Sequence, residues 1–460
     1  MIDDMSATAT TTPDVQSLPL VPKNPLPVWQ LVKLIRRLDT GQEVIRNAGG
    51  RITRIQFGPK WLYPPIVAVM SPNGMRDVLG RLDASSERCI YHDEVRKVAG
   101  DSLWVLPNDL WRPRKRAVQP VFTKQSVRNF GGHMSGAAQA FVDRWPRGGE
   151  VDLDIECRQV AMQSLGRAVF GVDLNERGDM IARCMHLASS YTTDRAFRPV
   201  RAPHWLPTPA RRRTLKAVAE MKKFTDEMVA ACRTDPDREA PLVRALMAAR
   251  DPETGLPIAD DDISNDLLIF MLAGHDTTST ALTHTLWVLG HHQEIQDRVA
   301  EEAAAIGDRE ITPEDVPRLG YTLQVLHESL RLCPPAAGVA RLATRDIAVD
   351  GYRVEAGTLV AVGLYALHHD PEIWPDPWKF DPDRFTPDKV KARNRWEFLP
   401  FLGGGRPCIG EHFARLETTL ALATIVRAMQ IRSCDDTFET DVPLTTVAKG
   451  PIRAVLRPRG

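Results

Sequence analysis

Residues 401–410 read FLGGGRPCIG. Three consecutive glycines let a backbone turn tightly and lie close against a flat ligand. Cys408 follows them and stands just before a helix, where backbone N–H groups and the positive helix end favour thiolate. Arg406, two residues earlier, can pair with an acidic ligand group. The same stretch, read alone, is also a glycine-rich turn around a buried cysteine. A second segment, Ala273-Gly274-His275-Asp276-Thr277-Thr278, falls inside the longest helical stretch. Glycine costs a helix about 1 kcal/mol relative to alanine, and Asp followed by two Thr competes for backbone hydrogen bonds. Such residues in mid-helix suit either a polar functional site or a solvated kink. Glu328 and Arg331 stand at i and i+3, the spacing of an ordinary helix-surface ion pair. Trp111 is followed by Arg112, Arg114, Lys115 and Arg116, which read as a solvated basic helix start or as an anion site.

The elements that must position these residues follow from periodicity. Residues 28–45 carry apolar side chains at helical spacing. Residues 52–57 and 66–70 read as strands joined by a Gly-Pro loop, a hairpin, and residues 73–82 as a short helix. Residues 111–250 are mostly amphipathic helix broken by Gly and Pro. Residues 260–290 form the longest helix, opened by Asp260, Asp261 and Asp262, which suit a helix N-terminus. Helices follow at 291–306 and 322–332, short strands around Gly351, and a Pro-, Asp- and Trp-rich stretch at 370–400. A last helix spans 410–429. Residues 201–213 (RAPHWLPTPARRR) form a proline-broken basic loop. It reads as a solvated connection or as a lid, with Trp205 and Leu206 near a pocket mouth. No internal repeat or linker divides the chain. The expectation is a frayed tail over residues 1–24 and one domain over 25–460, mainly α with a minor β region.

The bulk composition narrows the partners. The 59 basic and 59 acidic residues cancel, so no global field favours nucleic acid. Seven scattered cysteines without CxxC spacing argue against a disulfide framework or structural zinc, and for a reducing compartment. The N-terminus lacks the basic start and apolar core of a signal peptide. The longest apolar run, 267–274, is far short of the roughly 20 residues of a membrane span. A cytoplasmic location is expected.

The five positions Phe401, Gly404, Arg406, Cys408 and Gly410 match F-x-x-G-x-R-x-C-x-G, and the chain resembles the cytochrome P-450 family. Residues 411–417, EHFARLE, resemble the helix that follows this loop in the family. The resemblance implies the cytochrome P-450 fold, with heme b ligated by the thiolate of Cys408. A thiolate ligand pushes electron density onto iron and favours O–O cleavage. Phe401 would shield the sulfur, and Arg406 would reach a haem propionate. Glu328 and Arg331 match E-x-x-R, and Arg384 in residues 380–385 (FDPDRF) completes the buried triad this motif implies. Asp383 stands there where Glu is common. A-G-x-[DE]-T-[TS] implies that Gly274 opens room for dioxygen, Thr277 hydrogen-bonds at the dioxygen site, and Asp276 relays protons. His275 falls at a variable position and is read as a surface or packing residue. Trp111 resembles the start of W-x-x-x-R and would bind a propionate with a nearby cation. Lys115 holds the Arg place and Arg116 follows, so either could serve. Arg341 matches another propionate position. Ile269, Ala273, Ala336, Ala337 and Val447 would face the substrate, a hydrophobic lipid, terpenoid, steroid or polyketide.

The implied activity is a monooxygenase, inserting one oxygen atom of dioxygen into the substrate and releasing the other as water. Electrons would come from a separate ferredoxin and an NAD(P)H-dependent reductase, docked on basic residues at the cysteine side of a monomer. The rivals are a peroxide-using or non-oxygenating haem-thiolate enzyme, a haem-binding sensor, and a cofactor-free helical interaction protein.

Overall fold

The computed structural model describes residues 14–459 apart from residues 36, 38, 62, 82–84, 175, 176, 199 and 200. The helices that position the site are, in chain order, α1 (Val28–Leu34), α2 (Ile90–Ala99), α3 (Asn108–Val118), α4 (Leu153–Phe170), α5 (Gly178–Phe197), α6 (Pro209–Thr234), α7 (Asp260–His291), α8 (Gly320–Leu332) and α9 (Glu411–Ala428). The main sheet contains β1 (Ile52–Ile55), β2 (Ile66–Val69), β3 (Ser86–Arg88), β4 (Gly338–Ala343) and β5 (Leu359–Gly363), in the order β1-β2-β5-β4-β3. The β1–β2 hairpin is antiparallel, β2–β5 is parallel, and the remaining pairs are antiparallel. A smaller sheet joins Gly149–Asp152, Arg453–Pro458 and Met429–Ser433. The mainly α chain with a minor β part is as expected.

α7 is long because both its start and its interior are stabilised. Asp260, Asp261 and Asp262 lie in the first turn and pair with Arg233 at 2.6 Å, Lys222 at 2.9 Å and Arg114 at 2.5 Å. These carboxylates also complement the helix dipole. Further along, Ile263, Leu267, Leu268 and Met271 are buried. The hydroxyls of Thr283 and Thr285 donate to carbonyls one turn back, at 2.8 and 2.6 Å, so they do not remain unpaired in the core. α4 and α9 pack beside α7 and complete the helical core.

Two expectations change here. Residues 14–24 belong to the fold, not to a frayed tail. Leu20 and Lys23 bridge to Arg353 and Arg54, and Val21 is buried; residues 1–13 lie outside the described residues. The expected helix at 73–82 is a single turn, Pro72–Met75, followed by wider turns over Arg76–Arg81. Pro at the first helical position and the Ser71 cap on the Gly74 amide explain the sharp start.

The stretch 370–400 has little regular structure and is held by one buried charge. Arg331 forks onto Glu328 with two bonds of 2.8 Å, both side chains fully buried. Its Nη1 also donates to the carbonyls of His368 (2.9 Å) and Pro377 (2.7 Å). Arg384 Nε lies 3.4 Å from Glu328 Oε1, which accepts the Asp381 amide at 3.0 Å. The three residues therefore meet as expected. His368 extends the arrangement, because its Nε2 accepts the Leu399 amide at 3.1 Å at the approach to the cysteine loop.

Two outcomes are expected. Arg331→Lys keeps the charge but loses the fork, and should cost about 3 kcal/mol in thermal or denaturant melts. Arg183→Lys, at an exposed pair with Glu220, should stay within about 0.5 kcal/mol; equal effects would refute the assignment of the buried fork as the fastener. Acid sensitivity should also appear. Burial holds His284, His327 and His369 near pKa 3, and His368 well below its ordinary value of 6.5. The unfolded chain binds these protons first, so stability is full above about pH 6.5 and falls as pH drops below it, by about 2 kcal/mol per histidine at pH 5. Glu417, raised by burial to about 8, and Asp266, raised to about 6, act in the opposite sense but are fewer. A denaturation midpoint that does not fall between pH 7 and 5 would contradict this balance.

Candidate active site

A cavity of about 990 Å³ lies between α7 and the cysteine loop. α7 contributes Ile269, Ala273, Thr277 and Ala281, and the loop contributes Phe401, Arg406, Cys408 and Ile409. Ala336 and the β4 residues Val339 and Ala340 form a side wall. Ala337 and Val447 do not line it. The Ala337 carbonyl instead accepts bonds from Gln42, Leu364 and Tyr365. Val447 is tied into a short pairing with Asp441, and Pro443, Leu444 and Thr445 reach the cavity in its place.

The loop conformation follows from its glycines. Gly404 has φ +74°, and a Cβ there would stand 1.7 Å from the Leu79 carbonyl oxygen, so only glycine fits. Gly404 shapes the turn, and neither it nor Gly410, both expected as cofactor contacts, is in the cavity wall; a Cβ on Gly410 would stand 3.9 Å from the Cys408 sulfur. The Cys408 amide donates to the Phe401 carbonyl at 2.9 Å, which closes the loop. Cys408 is open to the cavity while deep in the protein. Burial pushes its thiol up to about 11, the Gly410 amide pulls it down, and the Glu411 charge adds to the rise. The expected lowering by the helix start is thus overcome by burial, with the Glu411 charge at the start of α9 a smaller contribution in the same direction. Ionising this sulfur at neutral pH calls for a metal, which deprotonates a thiol outright on coordination.

The donor set restricts what that metal could be. Among the described residues, no group of three or more His, Cys, Asp or Glu is arranged to hold a metal ion. A metal on Cys408 would have to arrive with its other ligands already attached. Beside the sulfur lies a cationic end. Arg406 stacks over Trp111 at 4.2 Å and donates to Leu106 O and Asn108 Oδ1 at 2.9 and 2.6 Å. Lys115 lies 4.9 Å from the same ring and donates to Gly405 O at 2.9 Å. Arg116 is turned away onto Asp251, 3.0 Å, and Glu253; of the two candidates, Lys115 faces the cavity. Arg341 lines a crevice beside it with Arg88 and Arg406.

Arg88, at the end of β3, and His92, in the first turn of α2, were not found from the sequence. Burial, with Arg341 and Arg406 nearby, pushes the Arg88 pKa well down. Its buried Nε has no hydrogen-bond partner among the described residues. Crowded guanidiniums around an orphaned donor suit a multiply anionic ligand. The Cys408 sulfur together with this cationic end fits a haem, which would bring its own ligands to the iron and carry carboxylates at its edge.

Across the cavity, helix geometry separates the A-G-H-D-T-T residues. Ala273 and Thr277, four apart, share the cavity face, and Thr277 Oγ1 donates to Ala273 O at 2.7 Å. Gly274 does not line the cavity: a Cβ on it would meet Leu165 of α4 at 3.3 Å, so its smallness serves helix contact. Asp276 also turns to α4. Its Oδ1 accepts from Arg158 at 2.8 Å and pairs with His275 Nδ1 at 2.9 Å. Burial pushes this carboxyl up, but His275 and Arg158 outweigh it and hold it below its usual range. His275 is buried, as a packing residue and not a surface one. Arg158 lies 118 positions away from Asp276, and no local signal in the sequence joins them.

The sequence profile of the family described as Cytochrome P450 matches residues 19–456. Cyclooctat-9-en-7-ol 5-monooxygenase of Streptomyces melanosporofaciens is 31% identical, covering 90% of this chain and 89% of that one. Pentalenene oxygenase of Streptomyces avermitilis is 29% identical, covering 87% and 88%. The solved structure of a retinoic acid-bound cyanobacterial P450 superposes with a TM-score of 0.81 at 24% identity, covering 96% of this chain and 100% of that one, and so shares the fold. With a match over nearly its whole length and the cysteine loop facing a mostly apolar cavity, the chain belongs to the cytochrome P450 family.

Proposed function

We propose that this haem-thiolate monooxygenase oxygenates an apolar terpenoid-like substrate, with Cys408 holding heme b and a separate ferredoxin and NAD(P)H-dependent reductase supplying electrons. The observation that carries the reading is one cavity in which the Cys408 sulfur, on its glycine loop, stands near a cationic end among otherwise mostly apolar walls. Two relatives are named for oxygenation of terpenoid hydrocarbons or alcohols, cyclooctat-9-en-7-ol and pentalenene, which favours that class over steroids or polyketides. Exposed Lys124 lies at the cysteine side with His412, and exposed Arg112 lies on α3; these support a basic dock for an acidic ferredoxin.

When bound, haem supplies the activation of dioxygen, placing one oxygen atom in a C–H or C=C bond while the other leaves as water at a cost of two electrons. The protein's own work is positional. Cys408 gives up its thiol proton on coordination, and Phe401 covers the sulfur from water. Arg406, Lys115, Trp111, Arg341 and Arg88 would hold the propionates and orient the ring. Ile269, Ala273 and Ala336 present apolar surface that excludes water and fixes the substrate by shape. The Thr277 hydroxyl spends its proton on Ala273 O, so it offers lone pairs to the cavity and can receive a proton-bearing water there. Asp276, next to Thr277 in the chain, is held by Arg158 and His275 on the α4 side of the helix. For Asp276 to deliver protons, its carboxylate must exchange the Arg158 contact for water, so Arg158 sets how readily it moves.

Reduced protein with carbon monoxide should show the long-wavelength Soret band of thiolate-ligated haem, and Cys408→Ser should lose it; a band that survives the substitution would end the assignment of the ligand. Thr277→Ala should keep NADPH consumption while product per NADPH falls on the order of tenfold. This is measured in a system with ferredoxin, reductase and a terpene hydrocarbon. If wild type forms product only from added peroxide, the monooxygenase route fails.

A further inference from the structure

Tryptophan rarely stands in water unless something covers it. Here Trp29 is 65% exposed, Trp61 84% and Trp205 78%, with Val28, Val32 and Leu206 exposed beside them in sequence. The three tryptophans sit on three separate segments that all reach one cavity mouth. Leu34 at the end of α1 and Ile35 line the cavity, as do Tyr63 and Pro64, two and three residues after Trp61, and Arg201, four residues before Trp205. Tyr63, Leu31, Leu34 and Phe57 pack in one apolar cluster, which places α1 and the loop after β1 side by side. Arg201 is near enough that its charge acts on the Tyr63 hydroxyl, against the upward push of burial.

The exposure of Trp205 is built in. Buried Glu94 of α2 holds Arg195 at 2.6 Å, and Arg195 donates to the Ala202 carbonyl at 2.9 Å. Arg201 in turn donates to the Arg195 carbonyl at 2.8 Å. The loop is anchored just before the tryptophan and presents it outward.

Within the three segments that carry these side chains the charged residues are all basic. Residues 23–38 contain Lys23, Lys33, Arg36 and Arg37 and no acid. Residues 57–64 contain Lys60 and no acid, and residues 198–216 contain Arg198, Arg201, Arg211, Arg212, Arg213 and Lys216 and no acid. Arg37, Lys60 and Arg198 are paired with Asp39, Glu355 and Asp194, whereas Arg212 and Arg213 are exposed in the first turn of α6. Exposed indoles on basic segments match the headgroup layer of a membrane, where tryptophan is favoured and anionic lipids attract basic segments. Among the described residues no helix is long and apolar enough to cross a membrane, so the contact would be interfacial.

We propose that this face docks on an anionic lipid bilayer, with Trp29, Trp61 and Trp205 in the headgroup layer and the cavity mouth turned toward the acyl chains. The inference goes beyond the proposed oxygenation and does not depend on it. It gives an apolar substrate a path from lipid into the cavity without crossing water.

The full chain should be sedimented with vesicles of phosphatidylcholine alone and of phosphatidylcholine containing phosphatidylglycerol. Binding is expected to the anionic vesicles and to be much weaker on the neutral ones. The double variant Trp61→Ser, Trp205→Ser should bind about tenfold more weakly, and Arg212→Glu, Arg213→Glu should do the same. Circular dichroism melts should not change, because all four side chains are exposed. The absence of binding to anionic vesicles, or binding that neither double variant weakens, would overturn the proposal. So would a concentration-dependent dimer, without vesicle binding, that the tryptophan variant abolishes; that result would assign the face to a second copy of the chain.

Discussion

The backbone from Leu399 to Cys408 has no helix or strand of its own, so its position must be imposed from outside. The imposition begins at a buried guanidinium. Arg331, fixed by Glu328, holds the His368 carbonyl, and the His368 ring accepts the Leu399 amide. From there Leu402 bonds back to Leu399, and Cys408 to Phe401. On the other flank, Gly404 comes against the Leu79 carbonyl so closely that no side chain is tolerated. The sulfur is thus located by groups that never touch it. Burying a charge pair fully is expensive unless its hydrogen bonds are complete. Here both carboxylate oxygens and all three guanidinium nitrogens have partners. That completeness makes the pair a reference point for a loop without internal regularity.

The same logic explains the histidines of this region. His368 can accept the Leu399 amide only while its Nε2 is unprotonated. Burial keeps it so, and the neighbouring His369, Arg331 and Arg393 add to the effect. An arginine-rich surrounding, which would repel a charged imidazole, is therefore compatible with a neutral one. The orientation of the cysteine loop and the acid tolerance of the fold depend on one protonation state.

How much of this was legible in the sequence depends on distance along the chain. α7 announced itself through its acidic first turn and apolar interior, and α9 through its position after the glycine loop. The residues of the cavity floor could be read because they are contiguous. Glu328, Arg331 and Arg384 were found by motif, but their burial was not visible, since i and i+3 charges usually sit at the surface. The cavity face of α7 was assigned one residue too widely. Gly274 and Asp276 were expected inward, yet a helix turns 100° per residue, and of the motif it is Ala273, Thr277 and Thr278 that share the cavity with Ile269. Arg158 on Asp276 and Arg88 beside Arg406 are contacts between distant segments, with nothing local to mark them. Ala337 and Val447 failed for a related reason: in irregular or short extended backbone, a one-residue change reverses the side chain's direction.

The groups at the cavity floor are individually ill-suited to their surroundings. Burial raises the Cys408 thiol above neutral pH, and burial together with the neighbouring Arg341 and Arg406 lowers Arg88. Local rules are usually broken at functional positions, with the cost carried by the rest of the fold. The two departures have opposite signs and adjacent places. A cation at the sulfur relieves one, and anionic groups at the guanidiniums relieve the other. One ligand that carries a metal at its centre and carboxylates at its edge answers both, whereas a free metal ion or a simple anion answers only one. The electrostatics of the floor therefore agree with the kind of cofactor that the motif implies.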